Sequence, residues 1–408
     1  MKPSFRAYVH VFPLVALPFL ALACSGGSPE EATSGGTDEA LDLEALGTIT
    51  SAPFADVCGP AADGEARCFA KRRTTAAGGI VSFATPTGLT PADLRSAYEI
   101  PATAVTATIG VVDAQDDPSV EADLAVYRKE FGLPACTTAN GCFKKVNQKG
   151  VEGSYPSADS DWAGEIALDV EMASAACPSC RILLVEATSE STANLGAAVN
   201  EAVKLGAAVV SNSFGWPEVS ADATDDTRYW HHPGVALFAS SGDSGYGVSY
   251  PSSGHYVIGV GGTSLTKSSS SRGWAEKAWS EGGSGCSGKT SKPSWQTDAT
   301  CTKKMVSDVS AIGDPDTGVA VYDSYGSGGW TVFGGTSVSS PLVAGIFAAA
   351  GKGDIDASAI WEHTGDFTDV TSGSNGTCST SYYCKAAKGF DGPTGWGTPI
   401  GSKLSNLP

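Results

Sequence analysis

Short apolar runs alternate with amphipathic stretches over most of this chain. Residues 107–112, 182–185, 207–210 and 235–238 are continuous, largely β-branched or alanine-rich runs. Between them, 120–131, 162–175 and 193–205 carry apolar residues at helical spacing. Strands that are apolar along their whole length, separated by helices, predict a parallel sheet covered on both faces. That is an α/β, doubly wound, mainly parallel architecture, whose chemistry belongs at the carboxyl ends of the strands. Thr90 followed by Pro91 predicts a helix start, with threonine as the cap and proline in the first turn. Another apolar helix is predicted at 342–350, behind Gly334-Gly335-Thr336-Ser337-Val338-Ser339-Ser340-Pro341.

The amino terminus follows a different pattern. Lys2 and Arg6 precede an apolar run at 9–23 that is too short to span a bilayer and has the anatomy of a signal peptide. Leu22-Ala23-Cys24 before Ser25-Gly26-Gly27 resembles a bacterial lipoprotein box, so a lipid on Cys24 would hold the protein at a membrane surface; plain secretion is the alternative. The expected organisation is a signal peptide at 1–23, a flexible acidic tether at 24–50, a short extension at 51–85 that is too small for a domain, and a main domain at 86–405. The formal net charge of −18 disfavours a nucleic-acid partner, because phosphates would be repelled. With Cys24 set aside, ten of the eleven cysteines fall in neighbouring twos: Cys58/Cys68, Cys136/Cys142, Cys177/Cys180, Cys286/Cys301 and Cys378/Cys384. Sequential pairing, one of many connectivities, would staple the loops of an exported protein. Cys177-Pro178-Ser179-Cys180 also has the spacing of a redox pair, but no thioredoxin-like strand order surrounds it.

Ser337 is the candidate nucleophile. Glycines before it allow a tight turn, and a helix amino terminus favours an anionic intermediate. A serine hydroxyl needs a base. The five histidines are His10, His231, His232, His255 and His363, and His231-His232-Pro233 reads as a helix end that caps its carbonyls. The alternative base lies in Trp162-Ala163-Gly164-Glu165-Ile166-Ala167-Leu168-Asp169. At about 100° per residue, Glu165 and Asp169 share an apolar face, where burial raises at least one carboxyl pKa and lets the pair share a proton. Glu171 points the other way and is expected in solvent. Asp243, in Ser240-Ser241-Gly242-Asp243-Ser244-Gly245 after a strand, could donate to an oxyanion if kept protonated.

In this order and spacing, these motifs resemble the sedolisin family of serine-carboxyl peptidases over about residues 86–405. The resemblance implies a subtilisin-like fold, with Glu165, Asp169, Asp243 and Ser337 as catalytic positions. It implies an acid-active endopeptidase that hydrolyses protein or peptide substrates through an acyl-enzyme, as a monomer outside the cytoplasm. It further implies one structural calcium, held by the carboxylates of Asp369 and Asp391 and the carbonyls of Val370, Ala387 and Gly389, with Ala387 where the family carries glycine. Three departures stand out. Residues 25–85 are too few for the family's large prodomain, Phe214 replaces a tryptophan, and Asp113 replaces an accessory glutamate. Two rival readings remain: a subtilisin-like triad of Asp113 with a histidine, and a catalytically inactive surface lipoprotein that binds polypeptides on the same scaffold.

Overall fold

The apolar runs form the middle of a mainly parallel sheet. The computed structural model describes residues 53–102, 105–220 and 222–408; the signal peptide, Cys24 and the acidic tether lie outside them. In chain order, the first elements are β1 (Phe54–Asp56), β2 (Arg67–Cys68), β3 (Lys71–Arg73) and α1 (Pro91–Ala97). The alternating core follows as β4 (Thr108–Ala114), α2 (Val120–Glu130), β5 (Phe143–Asn147), α3 (Ser160–Ala176), β6 (Arg181–Ala187), α4 (Thr192–Lys204) and β7 (Val209–Asn212). Then come β8 (Phe214–Pro217), the single turn α5 (Asp222–Asp225), β9 (Ala236–Ser240), β10 (Ser249–Tyr250), β11 (Ile258–Lys267) and β12 (Trp274–Ala278). The hairpin β13 (Gly285–Ser291) and β14 (Lys303–Val306) precedes β15 (Val309–Ile312), β16 (Val319–Asp323), β17 (Gly329–Gly334) and α6 (Thr336–Ala349).

The main sheet runs β12-β11-β9-β7-β4-β6-β5, with β15 beside β11. Its pairings are parallel except β11 with β12. Successive residues of β4 and β7 are all buried apart from Thr108, so both faces of the sheet are covered, as continuous apolar strands require. Thr90 caps α1 in a reciprocal capping box with Asp93. Asp159 caps α3 by accepting from the Asp161 and Trp162 amides, so the helix begins two residues before the start that apolar spacing alone suggests.

Helices α3 and α6 are buried almost throughout, and they pack on each other. Gly345 makes this approach possible: a Cβ there would lie 2.5 Å from the Ala176 Cβ. Burial on every side corrects one expectation. Glu171 is not in solvent but 1 % exposed, because α2 and β16 pack against α3 and the Tyr322 amide donates to its Oε2 at 3.0 Å.

All five sequential cysteine pairs are disulfides, Cys177–Cys180 included. The short extension is woven into the main body. β1 pairs with β3, β3 with β17 and β17 with β16, while β2 is the edge strand of a small sheet ordered β10-β8-β2 and pairs antiparallel with β8. Among the described residues, no helix is long and apolar enough to cross a membrane.

Candidate active site

The candidate residues gather at the carboxyl ends of β4, β7 and β9. Asp113 ends β4 together with Ala114, Ser213 follows β7, and Asp243 lies three residues beyond β9. Ser337 is the second residue of α6, reached from β17 through Gly335, whose φ of +96° a side chain would resist. Glu165 and Asp169 project from α3 one turn apart. Glu165, Asp169, Asp113 and Ser337 are all 0 % exposed.

The Ser337 Oγ donates to the Ser213 carbonyl at 3.1 Å. It also lies within reach of the Glu165 carboxyl, as does Asp169, which in turn approaches the Ser213 hydroxyl. No hydrogen bond joins Ser337 to Glu165 in this state, and Glu165 Oε1 is buried without a partner. Glu165 Oε2 accepts the Ala70 amide at 3.0 Å. Burial pushes both Glu165 and Asp169 well above the ordinary carboxyl range, and the neighbouring Asp113 charge pushes them further. Burial lifts Asp113 itself to about 8. Such a cluster retains protons that solvated acids would lose.

Asp243 is also buried and is pushed up to about 7, with the Thr336 bonds and the Lys71 charge opposing the rise. Its Oδ1 accepts from the Thr336 amide and hydroxyl, both at 2.8 Å. Its Oδ2 is buried with no hydrogen-bond partner. The histidines are engaged elsewhere. His231 stacks on Tyr256, and His232 bonds the Tyr229 carbonyl at 3.0 Å, consistent with the helix-capping expectation. His231, His232 and His255 line a hollow at the amino end of β9, the end opposite Asp243. His363 faces Asp366. Among the described residues, an Asp113–histidine pair is therefore not assembled; His10 lies outside them.

Four of the predicted calcium residues, Asp369, Ala387, Gly389 and Asp391, also meet. Asp391 is buried, with Oδ1 accepting from the Thr394 amide and hydroxyl and Oδ2 from the Ala387 amide; Asp369 Oδ2 accepts the Gly389 amide at 2.9 Å. Burial, reinforced by the Asp369 charge, raises Asp391 to about 7. Among the described residues there is no group of three His, Cys, Asp or Glu side chains placed to hold a metal. Two carboxylates beside a glycine-containing turn fit only an ion that takes its remaining ligands from oxygen, which suits calcium and not zinc.

Sequence reasoning missed Ser213, whose carbonyl orients Ser337, and the 67–72 segment that covers the site. Neither carries a residue type that advertises chemistry, and each matters through its backbone.

The Subtilase family matches residues 159–376, more than half of the chain. Sedolisin from Pseudomonas sp. (strain 101) is 29 % identical over 370 residues, which is 79 % of this chain and 61 % of that protein. Kumamolisin from Bacillus sp. (strain MN-32) is 30 % identical over 368 residues, 79 % of this chain and 64 % of that one. The chain thus spans about three fifths of the length of these curated relatives. The solved structure of Pseudomonas sedolisin (serine-carboxyl proteinase), complexed with two molecules of pseudo-iodotyrostatin, superposes with a TM-score of 0.68 at 28 % identity, covering 79 % of this chain and 98 % of that one. A subtilisin-like sheet and a family match over more than half of the sequence lead to one conclusion: the chain belongs to the subtilase family, and it is similar to sedolisin and kumamolisin over about four fifths of its length.

Proposed function

We propose that this chain is an acid-active endopeptidase that cleaves proteins or peptides through an acyl-enzyme on Ser337. One observation carries the reading: a single buried carboxyl, Glu165, reaches both the Ser337 hydroxyl and Asp169. Ser337 Oγ attacks the carbonyl carbon while Glu165 takes its proton, then returns it to the departing amine. Asp169 shares the pair's proton and so tunes Glu165. Asp243, protonated below about 7, turns its unpartnered Oδ2 into a donor for the oxyanion. Water then hydrolyses the ester with Glu165 again as the base. The test is Ser337→Ala, expected to lower hydrolysis of a denatured protein at pH 4 by about a thousandfold or more; retained turnover would exclude the mechanism.

The same reading assigns 86–405 as the peptidase domain and Cys24 as its lipid-bearing tether. It also places a structural calcium at Asp369 and Asp391, with the carbonyls of Val370, Ala387 and Gly389. Bound there, the ion would neutralise the two acids and fix the 387–391 turn. A chelator is then expected to lower the melting temperature of the wild type and leave that of Asp391→Asn unchanged.

A further inference from the structure

Asp243 stands on a turn that is braced from outside, and we propose that Asn375 is the positioning residue that fixes this turn for oxyanion binding. The inference rests on the serine-carboxyl reading above. It is carried by a run of hydrogen bonds that leads from Asn375 to both sides of Asp243.

The turn follows β9. Its Gly242 carbonyl accepts the Gly283 amide at 2.7 Å, and its Gly245 amide donates to the Glu281 carbonyl at 2.7 Å. These two bonds bracket Asp243. A little further on, the Gly247 amide donates to the Ser284 carbonyl at 2.9 Å. The main chain of 281–284, between β12 and β13, therefore lies along the turn as a rail. The approach is closer than side chains permit: a Cβ on Gly283 would lie 2.0 Å from the Ser241 oxygen. That closeness has a consequence. Gly282 and Gly283 leave the rail without side chains to pack and with wide backbone freedom, so its position has to be set by another segment.

Asn375 supplies that restraint. It is 3 % exposed, and its Nδ2 donates to the Gly282 carbonyl at 2.6 Å and to the Ser284 hydroxyl at 2.7 Å. A carbonyl oxygen only accepts, so the atom that faces Gly282 is the amide nitrogen. The Asn375 carbonyl in turn accepts the Tyr246 amide at 2.8 Å, at the far end of the Asp243 turn. One residue thus grips both segments, the rail through its side chain and the turn through its backbone. There is no slack in the grip, because a Cβ on Gly245 would lie 2.7 Å from the Asn375 oxygen. Asn375 is itself held by the loop that Cys378–Cys384 staples: its amide donates to the Cys384 carbonyl at 3.0 Å. The Ser284 hydroxyl reaches the same loop, donating to the Tyr383 carbonyl at 2.6 Å.

An asparagine that only stabilised the carboxyl-terminal loop would spend its amide within that loop. Both bonds of this amide leave it for residues 282 and 284, on the segment whose backbone brackets Asp243. Thr336 fixes one oxygen of Asp243, and the placement of the other follows the turn. An oxyanion donor is effective only within about 2.7–3.1 Å of the developing charge. Displacement of the turn by a fraction of that distance lowers kcat without touching Ser337 or Glu165.

The experiment measures kcat on a peptide substrate from pH 3 to 7 for the full-length wild type, Asn375→Ala, Asp243→Ala, the double variant and Asn375→Asp, with folding checked by circular dichroism. Asn375→Ala is expected to lower kcat by about tenfold to a hundredfold in the wild-type background. In the Asp243→Ala background the same change is expected to cost less than about twofold, since no donor remains to be positioned. A purely structural role would multiply the two losses. Asn375→Asp has the native shape but donates only while protonated. It is expected to keep most of the wild-type rate near pH 3 and to lose it at lower pH than the wild type does, a comparison that stands even where Asn375→Ala does not fold. Wild-type kcat in folded Asn375→Ala, equal fold-losses in both backgrounds, or an Asn375→Asp profile parallel to the wild type would each overturn the inference and leave the proposed function standing. A wild type without any Ser337-dependent hydrolysis would sink the proposed function, and the inference with it.

Discussion

At Asp243, two oxygens of one side chain have different tasks. Oδ1 is committed to Thr336, and Oδ2 has nothing to bond unless it carries a proton or meets a substrate carbonyl. An amide at this position donates at any pH. Asp243→Asn is therefore expected to retain activity on the neutral side of the pH–rate profile, where the wild type loses its proton near 7. Asp243→Ala is expected to lose about a hundredfold or more in kcat at every pH. Equal losses in both variants across the profile would remove the donor role. Proximity in sequence suggested Glu165 with Asp169, and a strand-end turn suggested Asp243. The contribution of Ser213 is a carbonyl, which no side-chain pattern reports.

At the scale of elements, the crossing of α3 over α6 sets the distance between base and nucleophile. Both helices are apolar around their whole circumference, so an amphipathic stripe cannot tell which faces meet. The answer lies in the small residues. Gly345 packs against Ala173 and Ala176 so closely that one added methyl has no room. Gly345→Ala is expected to destabilise the fold by about 1–3 kcal/mol, measured by urea unfolding. Activity per folded molecule should fall as well, since the wedge separates Glu165 from Ser337. A variant as stable and active as the wild type would show that the two helices can shift freely. The burial of Glu171 belongs to this scale too: helical spacing correctly put it opposite Glu165, but only the packing of α2 and β16 showed that the opposite face is also interior.

For the whole molecule, buried acids make acidity a structural condition. Burial raises Asp113 to about 8, and burial with the nearby Asp123 and Asp323 charges raises Asp117 to about 7. Each ordinary carboxyl in the unfolded chain releases its proton near pH 4. Below that, both states are protonated and the stability is fully present. As pH rises from about 4 through the folded values near 7 and 8, the unfolded state is favoured progressively. The melting temperature is expected to be highest at about pH 4 and to fall steadily toward pH 8. Asp117→Asn should flatten that slope, and a wild-type melting temperature independent of pH would contradict the placement of these acids.

The sequence alone determined the alternation of strand and helix, the caps of α1, the local disulfide pairs, and the candidate acids and serine. These are properties of spacing along a few turns of chain, where backbone geometry leaves little choice. Tertiary structure decided which distant segments became neighbours: that Glu165 lies near Ser337 across the α3–α6 crossing, that Glu171 is buried, and that a stretch with no chemical signature bonds Ser213 and Glu165 through its Phe69 and Ala70 amides. Such relations depend on register between segments far apart in the chain, and register is fixed only when the whole core closes.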